Sequence, residues 1–142
     1  VGVRRAANLP AEGGIIVAKV PENARTAWNE RQGACVFTTA NPDGTPNSIW
    51  VSCVKMADEE TIVVADNFFD KTRKNIDLNQ KVSLLYIAPE KRSFQVKGTV
   101  SYQTNGPHYD DMKKDWLDPK MPGRGAAVIQ VEEVYSGAEK IA

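Results

Sequence analysis

The feature that most constrains the fold of this 142-residue sequence is a succession of strand-forming segments joined by turns. From residue 33 onward, β-branched and apolar stretches alternate with short stretches rich in Gly, Pro, Asn and Asp. Because parallel strands would need a helix or a long crossover after each strand, the pattern indicates an antiparallel sheet, and closing it into a barrel would protect its edges. Six strands are predicted: "GACVFTT", "NSIWVSCVKM", "TIVVADN", "KVSLLYIA", "SFQVKGTVSYQT" and "GAAVIQVEEVYSG".

The second predicted strand carries different side chains on its two faces. With the two-residue period of a strand, the face suited to a barrel interior carries Asn47, Ile49, Val51 and Cys53, and the opposite face carries Ser48, Trp50 and Ser52. A Trp between two hydroxyls on an outward face is expected to contact a flat, polar-edged ligand or a second subunit. The alternative is a surface Trp covered by the last predicted helix.

Three short helices are predicted, in "VPENARTAWNERQ", "DKTRKNIDLN" and "NGPHYDDMKKDWLD". Pro21 lies near the start of the first helix, where its missing N–H is tolerated. Asp70 is expected to cap the second helix, with its carboxylate accepting a backbone N–H. The third is amphipathic, because Tyr109, Met112 and Trp116 repeat at helical spacing.

The length of the chain suits one domain with a buried core. Residues 1–20 hold few periodic signals and are expected to form an N-terminal arm, in which "GIIVAKV" is a candidate short strand. Residues 21–142 are then expected to form a single domain.

Composition excludes several classes of function. The 18 basic and 18 acidic side chains give no net charge, whereas nucleic-acid binders normally carry a basic excess. No apolar run approaches the roughly 20 residues that span a bilayer.

Cys35 and Cys53 are expected to be buried free thiols, which fits a reducing, cytoplasmic location. The single His108 has no Cys or second His nearby, so no metal site is expected.

A cluster of cations follows the third predicted strand, in "DNFFDKTRKNI" (66–76). Lys71, Arg73 and Lys74 surround Thr72 at a predicted helix start, where backbone N–H groups lack intrahelical partners and the helix dipole is positive. Cations, a hydroxyl and free N–H groups together predict a phosphate-binding site. The alternative is a solvated surface helix.

The ordered set of segments resembles the split-barrel flavoproteins related to pyridoxamine 5'-phosphate oxidase, particularly the small bacterial FMN-binding proteins. The likeness covers roughly residues 33–137, and its most specific parts are "IVVADNFFDKT" followed by a strand and "VKGTVSYQTNGP" leading into a helix. The resemblance implies a mainly β fold with a few short helices, built as a six-stranded antiparallel split barrel of the FMN-binding type.

The same resemblance implies a homodimer with FMN in two equivalent clefts at the subunit interface. By position, Lys71 and Thr72 match residues that hold the FMN phosphate. Arg124, just before the closing strand, matches less closely and is a candidate contact from the partner subunit. The strand beside the isoalloxazine ring and the end of the next strand match Asn47, Ser48, Ile49, Trp50, Asp66, Asn67 and Phe68.

The sequence also departs from its relatives. The Arg-containing substrate motif of true pyridoxamine phosphate oxidases is not found after Tyr135, and His108 lies in the wrong segment for the histidines of nitroimidazole reductases and haem-handling relatives. The resemblance therefore implies an FMN-dependent oxidoreductase or electron carrier acting on another small substrate. No catalytic side chain is assigned.

Three alternatives remain open from the sequence. The protein could bind FMN without turnover, as a store or sensor. It could bind the deazaflavin F420, although the longer acidic tail of F420 would need more cations than the 71–74 cluster provides. It could also be a β-barrel interaction domain without a cofactor.

Overall fold

A computed structural model of the protein describes residues 16–142. Most of the predicted N-terminal arm therefore lies outside the described residues. Residues 16–20 form no strand, but the Ala18 N–H donates to the Val131 carbonyl at 2.9 Å and the Val20 N–H to the Glu59 carbonyl at 2.7 Å. These bonds place the start of the domain against the sheet.

The described chain contains eight strands and three α-helices. The strands are β1 (Cys35–Ala40), β2 (Pro46–Val51), β3 (Val54–Asp58), β4 (Thr61–Asp66), β5 (Lys81–Ala88), β6 (Arg92–Gln103), β7 (Gly125–Ser136) and β8 (Glu139–Lys140). The α-helices are α1 (Glu22–Asn29), α2 (Lys71–Leu78) and α3 (Pro107–Asp111). A 3-10 turn occupies Pro89–Lys91, and a π-helical segment, Met112–Trp116, continues α3.

The expected mainly β, antiparallel fold is confirmed, with two more strands than predicted. The predicted strand "NSIWVSCVKM" is broken at Ser52 and Cys53 into β2 and β3, and a short β8 pairs with the end of β7. The break has a topological reason, since β2 pairs with β1 whereas β3 pairs with β4.

The sheet must curl to connect its own edges. Its strand order is β2-β1-β5-β6-β7-β4-β3, with every pair antiparallel. β2 and β3 are thus the two edge strands, yet only Ser52 and Cys53 separate them along the chain. Two residues span at most about 7 Å beyond the strand ends. The edges therefore meet at one corner, where the Cys53 carbonyl also accepts the Ala65 N–H at 2.9 Å.

The main core fills the inside of the curled sheet. Alternate residues of β1, β5 and β6 point inward and are buried, as the two-residue period predicts. Helix α1 packs against β5 on this side, where Trp28 meets the ring of Tyr86 edge-on at 5.0 Å between centroids. The Tyr86 hydroxyl donates to the Ala24 carbonyl at 2.7 Å, which satisfies a buried polar group.

A second, smaller core lies on the other face of β4 and β7. Met112 and Leu117, from the third predicted helix, are buried there against Val63 and Val128. β4 is therefore covered on both faces, which explains why its sequence "TIVVAD" is apolar throughout instead of alternating. Among residues 16–142 the structure shows no helix long and apolar enough to cross a membrane.

Gly98 marks a tight approach between β6 and β7. The register of this pair shifts between Lys97 and Gly98, which is a β-bulge. A Cβ atom at position 98 would overlap the backbone carbonyl of Gln130 and crowd the side chain of Ile129. Because one obstacle is backbone, side-chain rotation alone cannot relieve the overlap.

We expect Gly98→Ala to lower the free energy of unfolding by about 2–3 kcal/mol, the scale of overpacking in a rigid core. Urea unfolding followed by circular dichroism measures the change. Ser101→Ala, at an exposed outward position of the same strand, is the matched control and should stay within about 0.5 kcal/mol of the parent. Equal, small effects of both substitutions would show that the β6–β7 contact is looser than the structure indicates.

Candidate functional site

The cation-rich segment begins with a tight bend after β4. Asp66 is buried, with 1% of its surface exposed, and its Oδ1 accepts the Phe69 N–H at 2.9 Å. This bond folds residues 66–69 back on themselves and directs the chain into α2. Asp70 occupies the predicted N-cap position, but the predicted capping bond is wrong: its side chain makes none and lies 3.7 Å from the Lys74 ammonium on the surface.

A polar cleft of about 240 Å³ lies between the start of β2 and α2. Lys71, exposed at the helix start, and Lys74, one turn later, contribute the cations of its wall. The full lining is Asn41, Thr45, Pro46, Asn47, Lys71, Lys74 and Asn75. Two ammonium groups and three side-chain amides give this cleft the chemistry of an anion site.

Two side-chain hydrogen bonds fix the amides beside this polar cleft. The Asn47 Nδ2 donates to Thr72 Oγ1 at 3.1 Å, and the Asn75 Nδ2 donates to Thr39 Oγ1 at 3.0 Å. Thr72 is only 1% exposed. Its hydroxyl therefore lies behind Asn47, and its contact with the cleft passes through that amide.

Arg73 points away from the polar cleft. Its guanidinium carbon lies 3.7 Å from the centroid of the Tyr102 ring, and its Nε donates to Asp77 at 3.1 Å. The predicted cluster of three cations thus divides, with Lys71 and Lys74 at the cleft and Arg73 on the opposite side of α2.

An apolar cleft, also of about 240 Å³, lies at the other end of β2. Trp50 and Phe68 stand at its edge and are 74% and 76% exposed, which is unusual for large aromatic side chains. Trp50 is therefore not covered by the last helix. The lining is Ile49, Trp50, Val51, Ser52, Cys53, Ala65, Asn67, Phe68, Phe69 and Met121.

Ser48, the remaining predicted contact on β2, and the two cysteines lie in different environments. Ser48 points outward beside the clefts, and its hydroxyl is 2.8 Å from that of Thr38. Cys35 is buried as predicted, and burial raises the pKa of its thiol. Cys53 is only partly buried, because it borders the apolar cleft.

The two clefts follow one another along β2. Asn47 borders the polar cleft, while Ile49 to Val51 border the apolar one. At about 3.3 Å per residue, the four positions from Asn47 to Val51 span about 13 Å. The arrangement suits an elongated ligand with an anionic end and a flat apolar end.

The side chains of Asp66 and Arg124 contact each other directly. The Arg124 guanidinium donates to Asp66 Oδ1 at 3.0 Å and to the Phe69 carbonyl at 2.7 Å, and its backbone N–H donates to the Asp66 carbonyl at 2.7 Å. Asp66 Oδ2 accepts the Tyr102 hydroxyl at 2.6 Å. Asn67 is held by the Gly123 N–H, which donates to its Oδ1 at 3.0 Å.

Sequence reasoning missed several residues of this region. Asn75 lies one turn into α2, Phe69 lies in the bend before α2, and Met121 lies in a loop distant along the chain, so no local motif groups these three residues. Tyr102 has no local signal for its contact with Asp66, which lies 36 positions earlier in the chain. The helical spacing of Lys71 and Lys74 was the one available signal that these two share a face.

The chain is similar to known proteins over most of its length. Residues 20–137 match the family model described as pyridoxamine 5'-phosphate oxidase. An uncharacterised protein from Methanocaldococcus jannaschii is 33% identical over 129 residues, which cover 87% of this chain and 84% of that protein.

Several solved structures share the fold. HupZ from Group A Streptococcus has a TM-score of 0.75 at 23% identity, with 87% of this chain and 98% of HupZ covered. An FMN-binding protein from Syntrophomonas wolfei has a TM-score of 0.68 at 19% identity, with coverage of 80% and 83%. These likenesses support the expected split-barrel architecture.

The Tyr102 contact predicts a pH dependence of stability. Burial and the adjacent Asp66 carboxylate raise the pKa of Tyr102 from 10.0 to about 12, because both disfavour the phenolate. A raised pKa in the folded state stabilises the protein below pH 10, and this contribution is lost as the pH rises from 10 to 12. Burial also raises the pKa of Tyr86, so some decline remains without Tyr102.

We therefore expect Tyr102→Phe to flatten the fall in unfolding free energy between pH 10 and 12. Urea titrations at intervals of half a pH unit measure the slope for both proteins. Tyr135→Phe, which removes a more exposed tyrosine, serves as the comparison. Identical slopes for the parent and Tyr102→Phe would contradict the assigned hydrogen bond.

Proposed function

The chain belongs to the pyridoxamine 5'-phosphate oxidase family, and from this premise we propose that it binds FMN along β2 and acts as an oxidoreductase or electron carrier. Its substrate is proposed to be a small molecule other than pyridoxamine phosphate. The observation that carries the proposal is the succession of a cationic cleft and an aromatic-edged apolar cleft on one strand.

The polar cleft fits a phosphate monoester. Lys71 supplies an exposed ammonium at the start of α2, and Asn47 supplies an amide held in place by Thr72. Charge-assisted hydrogen bonds from such donors are the strong contacts of phosphate sites. The helix start adds backbone N–H groups without intrahelical partners. Lys74 is a second cation one turn along.

The apolar cleft fits a flat ring system. Ile49 and Val51 form apolar wall, and Trp50 and Phe68 present exposed rings at the edge. Aromatic side chains favour offset or edge-on contact with another aromatic ring. Asn67 and Ser52 place a few polar groups among the apolar ones, which is the pattern of cofactor pockets.

When bound, the flavin supplies the hydride or one-electron chemistry. The part of this chain is to bind and orient the ring, exclude water with Trp50 and Phe68, and limit what approaches. No side chain of the apolar cleft is assigned a proton-transfer role.

The polar cleft also favours FMN over F420. Because Arg73 stacks on Tyr102, only Lys71 and Lys74 contribute positive charge to the cleft. A long polyanionic tail would leave charge unpaired there.

Storage of flavin without turnover is separated from catalysis by testing whether NAD(P)H or a chemical reductant gives a reduced flavin that an acceptor reoxidises repeatedly.

We also propose that the protein is a homodimer whose second copy closes the apolar cleft. Trp50 on β2, Val36 on β1 and Leu85 on β5 are direct cross-strand neighbours and form an outward row. Leu85 and the next outward residue, Ile87, are 42% and 41% exposed. An apolar row of this kind that begins at the cleft edge suits a self-complementary contact about a two-fold axis.

Lys71→Ala is expected to weaken FMN binding by about 1.5–3 kcal/mol, the scale of a hydrogen bond to a charged group. Riboflavin, which lacks the phosphate, should bind with unchanged affinity. Titration calorimetry with both ligands measures the two changes. Lys120→Ala, another exposed lysine but outside both clefts, should leave both affinities unaltered. Equal losses for FMN and riboflavin in Lys71→Ala would assign Lys71 a structural role instead.

Leu85→Glu is expected to shift the protein from dimer to monomer and to weaken flavin binding, because a carboxylate would be buried without a partner at the contact. Sedimentation velocity measures the mass of the species. The control is Ser101→Glu, which adds the same charge at an exposed outward position of β6. A parent protein that is monomeric at all concentrations, or an unchanged Leu85→Glu dimer, would refute this interface.

A further inference from the structure

We infer that Tyr102 is a positioning residue that holds both ends of the segment Asp66–Arg73, the segment that contributes Phe68 and Lys71 to the two clefts. The inference rests on the proposed function for its consequence in flavin binding. Its structural part concerns the free protein and can be tested without a ligand.

The first hold is the Tyr102 hydroxyl on Asp66. It donates to Asp66 Oδ2 at 2.6 Å, while the other carboxylate oxygen accepts the Phe69 N–H and the Arg124 guanidinium. Three donors therefore fix a carboxylate that is 1% exposed. Hydrogen bonds to a charged and buried group are the ones whose loss costs most.

The second contact that holds the segment is the stacking of the Arg73 guanidinium on the Tyr102 ring. The Arg73 guanidinium carbon lies 3.7 Å from the ring centroid, and the ion pair with Asp77 at 3.1 Å keeps the group in place. Arg73 is two residues beyond Lys71 in α2. Contact of a guanidinium with a ring face at an exposed site is favourable by roughly twofold to fivefold in an equilibrium constant.

Space for Tyr102 is provided by Gly125. A Cβ atom at position 125 would overlap the Tyr102 hydroxyl oxygen. Tyr102 itself stands on β6, where it pairs with Ala127 of β7 in the middle of the sheet. A side chain on a rigid strand thus anchors a segment that follows a bend.

The side chains of Phe68 and Lys71 have little support of their own, whereas Asn67, Phe69 and Thr72 beside them are buried. Phe68 is 76% exposed and Lys71 is exposed at the helix start. Their orientation toward the clefts therefore depends on the ends of the segment. Loss of the hydrogen bond between Tyr102 and Asp66 should disturb the apolar cleft. Loss of the contact between Tyr102 and Arg73 should disturb the polar cleft.

The first test uses hydrogen exchange of the ligand-free protein. In Tyr102→Phe the Asp66 carboxylate loses one of its donors, so we expect the Phe69 amide to exchange about tenfold faster, which corresponds to a hydrogen bond worth roughly 1.4 kcal/mol. Tyr135→Phe is the matched control, because it also removes a hydroxyl that donates to a carboxylate, at 2.8 Å to Glu133. Unchanged exchange at Phe69 in Tyr102→Phe would overturn the inference, whether or not the protein binds flavin.

The second test separates the two holds by ligand. Tyr102→Phe keeps the ring, so FMN and riboflavin should both bind about tenfold more weakly, by the same hydrogen-bond scale. Arg73→Lys keeps the charge but loses the planar stack, so FMN should weaken about threefold while riboflavin is unaffected. A purely structural role would weaken both ligands in both variants, in step with a lower melting temperature, and would overturn the assignment of separate holds.

Failure of the proposed function has a different signature. A parent protein that takes up neither ligand would refute flavin binding, while the exchange result would still decide whether Tyr102 holds the segment. A parent protein that binds FMN, with both variants equal to it, would refute the inference alone.

Discussion

The two-residue connection between β2 and β3 is the constraint on which the rest of the structure depends. Ser52 and Cys53 join strands that stand at opposite ends of the sheet order. A connection that short cannot cross an open sheet, so the sheet must curl until its edges meet. The enclosed side then becomes the core, and the meeting of the edges becomes a corner with its own surface.

The candidate site lies along this corner. Curling brings the exposed side of β2 next to the end of β4, and the bend at Asp66 returns the chain so that α2 lies beside the start of β2. The polar and apolar clefts are consequences of that geometry. Catalytic and binding groups placed on loops and strand ends of a rigid scaffold are a recurrent arrangement, because the sheet fixes positions that a loop alone could not.

The sequence was sufficient to predict the strand pattern and most of the fold, because alternation and turn chemistry are local signals. The break at Ser52 was not predictable in this way, since neither residue of the connection is Gly or Pro and both continue an alternating pattern. Asp66 and Arg124 are predicted cofactor contacts, Arg124 from the partner subunit, and that prediction stays open. In the structure they also bind each other, a contact between residues 58 positions apart that local patterns cannot show.

Lys71 and Arg73 illustrate the limit at the site itself. Both belong to one basic cluster in the sequence, yet the helical turn of about 100° per residue places them on different sides of α2. Lys71 lines the polar cleft, while the guanidinium of Arg73 stacks on the Tyr102 ring away from it. The clustering of cations around the start of α2 was thus predictable, whereas which of these cations line the polar cleft required the tertiary structure.

The most direct test of the central claim is a crystal structure of the protein grown with excess FMN. We expect a phosphate in contact with Lys71 and Asn47, and a ring beside Ile49 and Trp50, within a dimer that covers the outward row of Trp50 and Leu85. FMN found elsewhere on the molecule, or both clefts filled by the protein's own side chains, would contradict it.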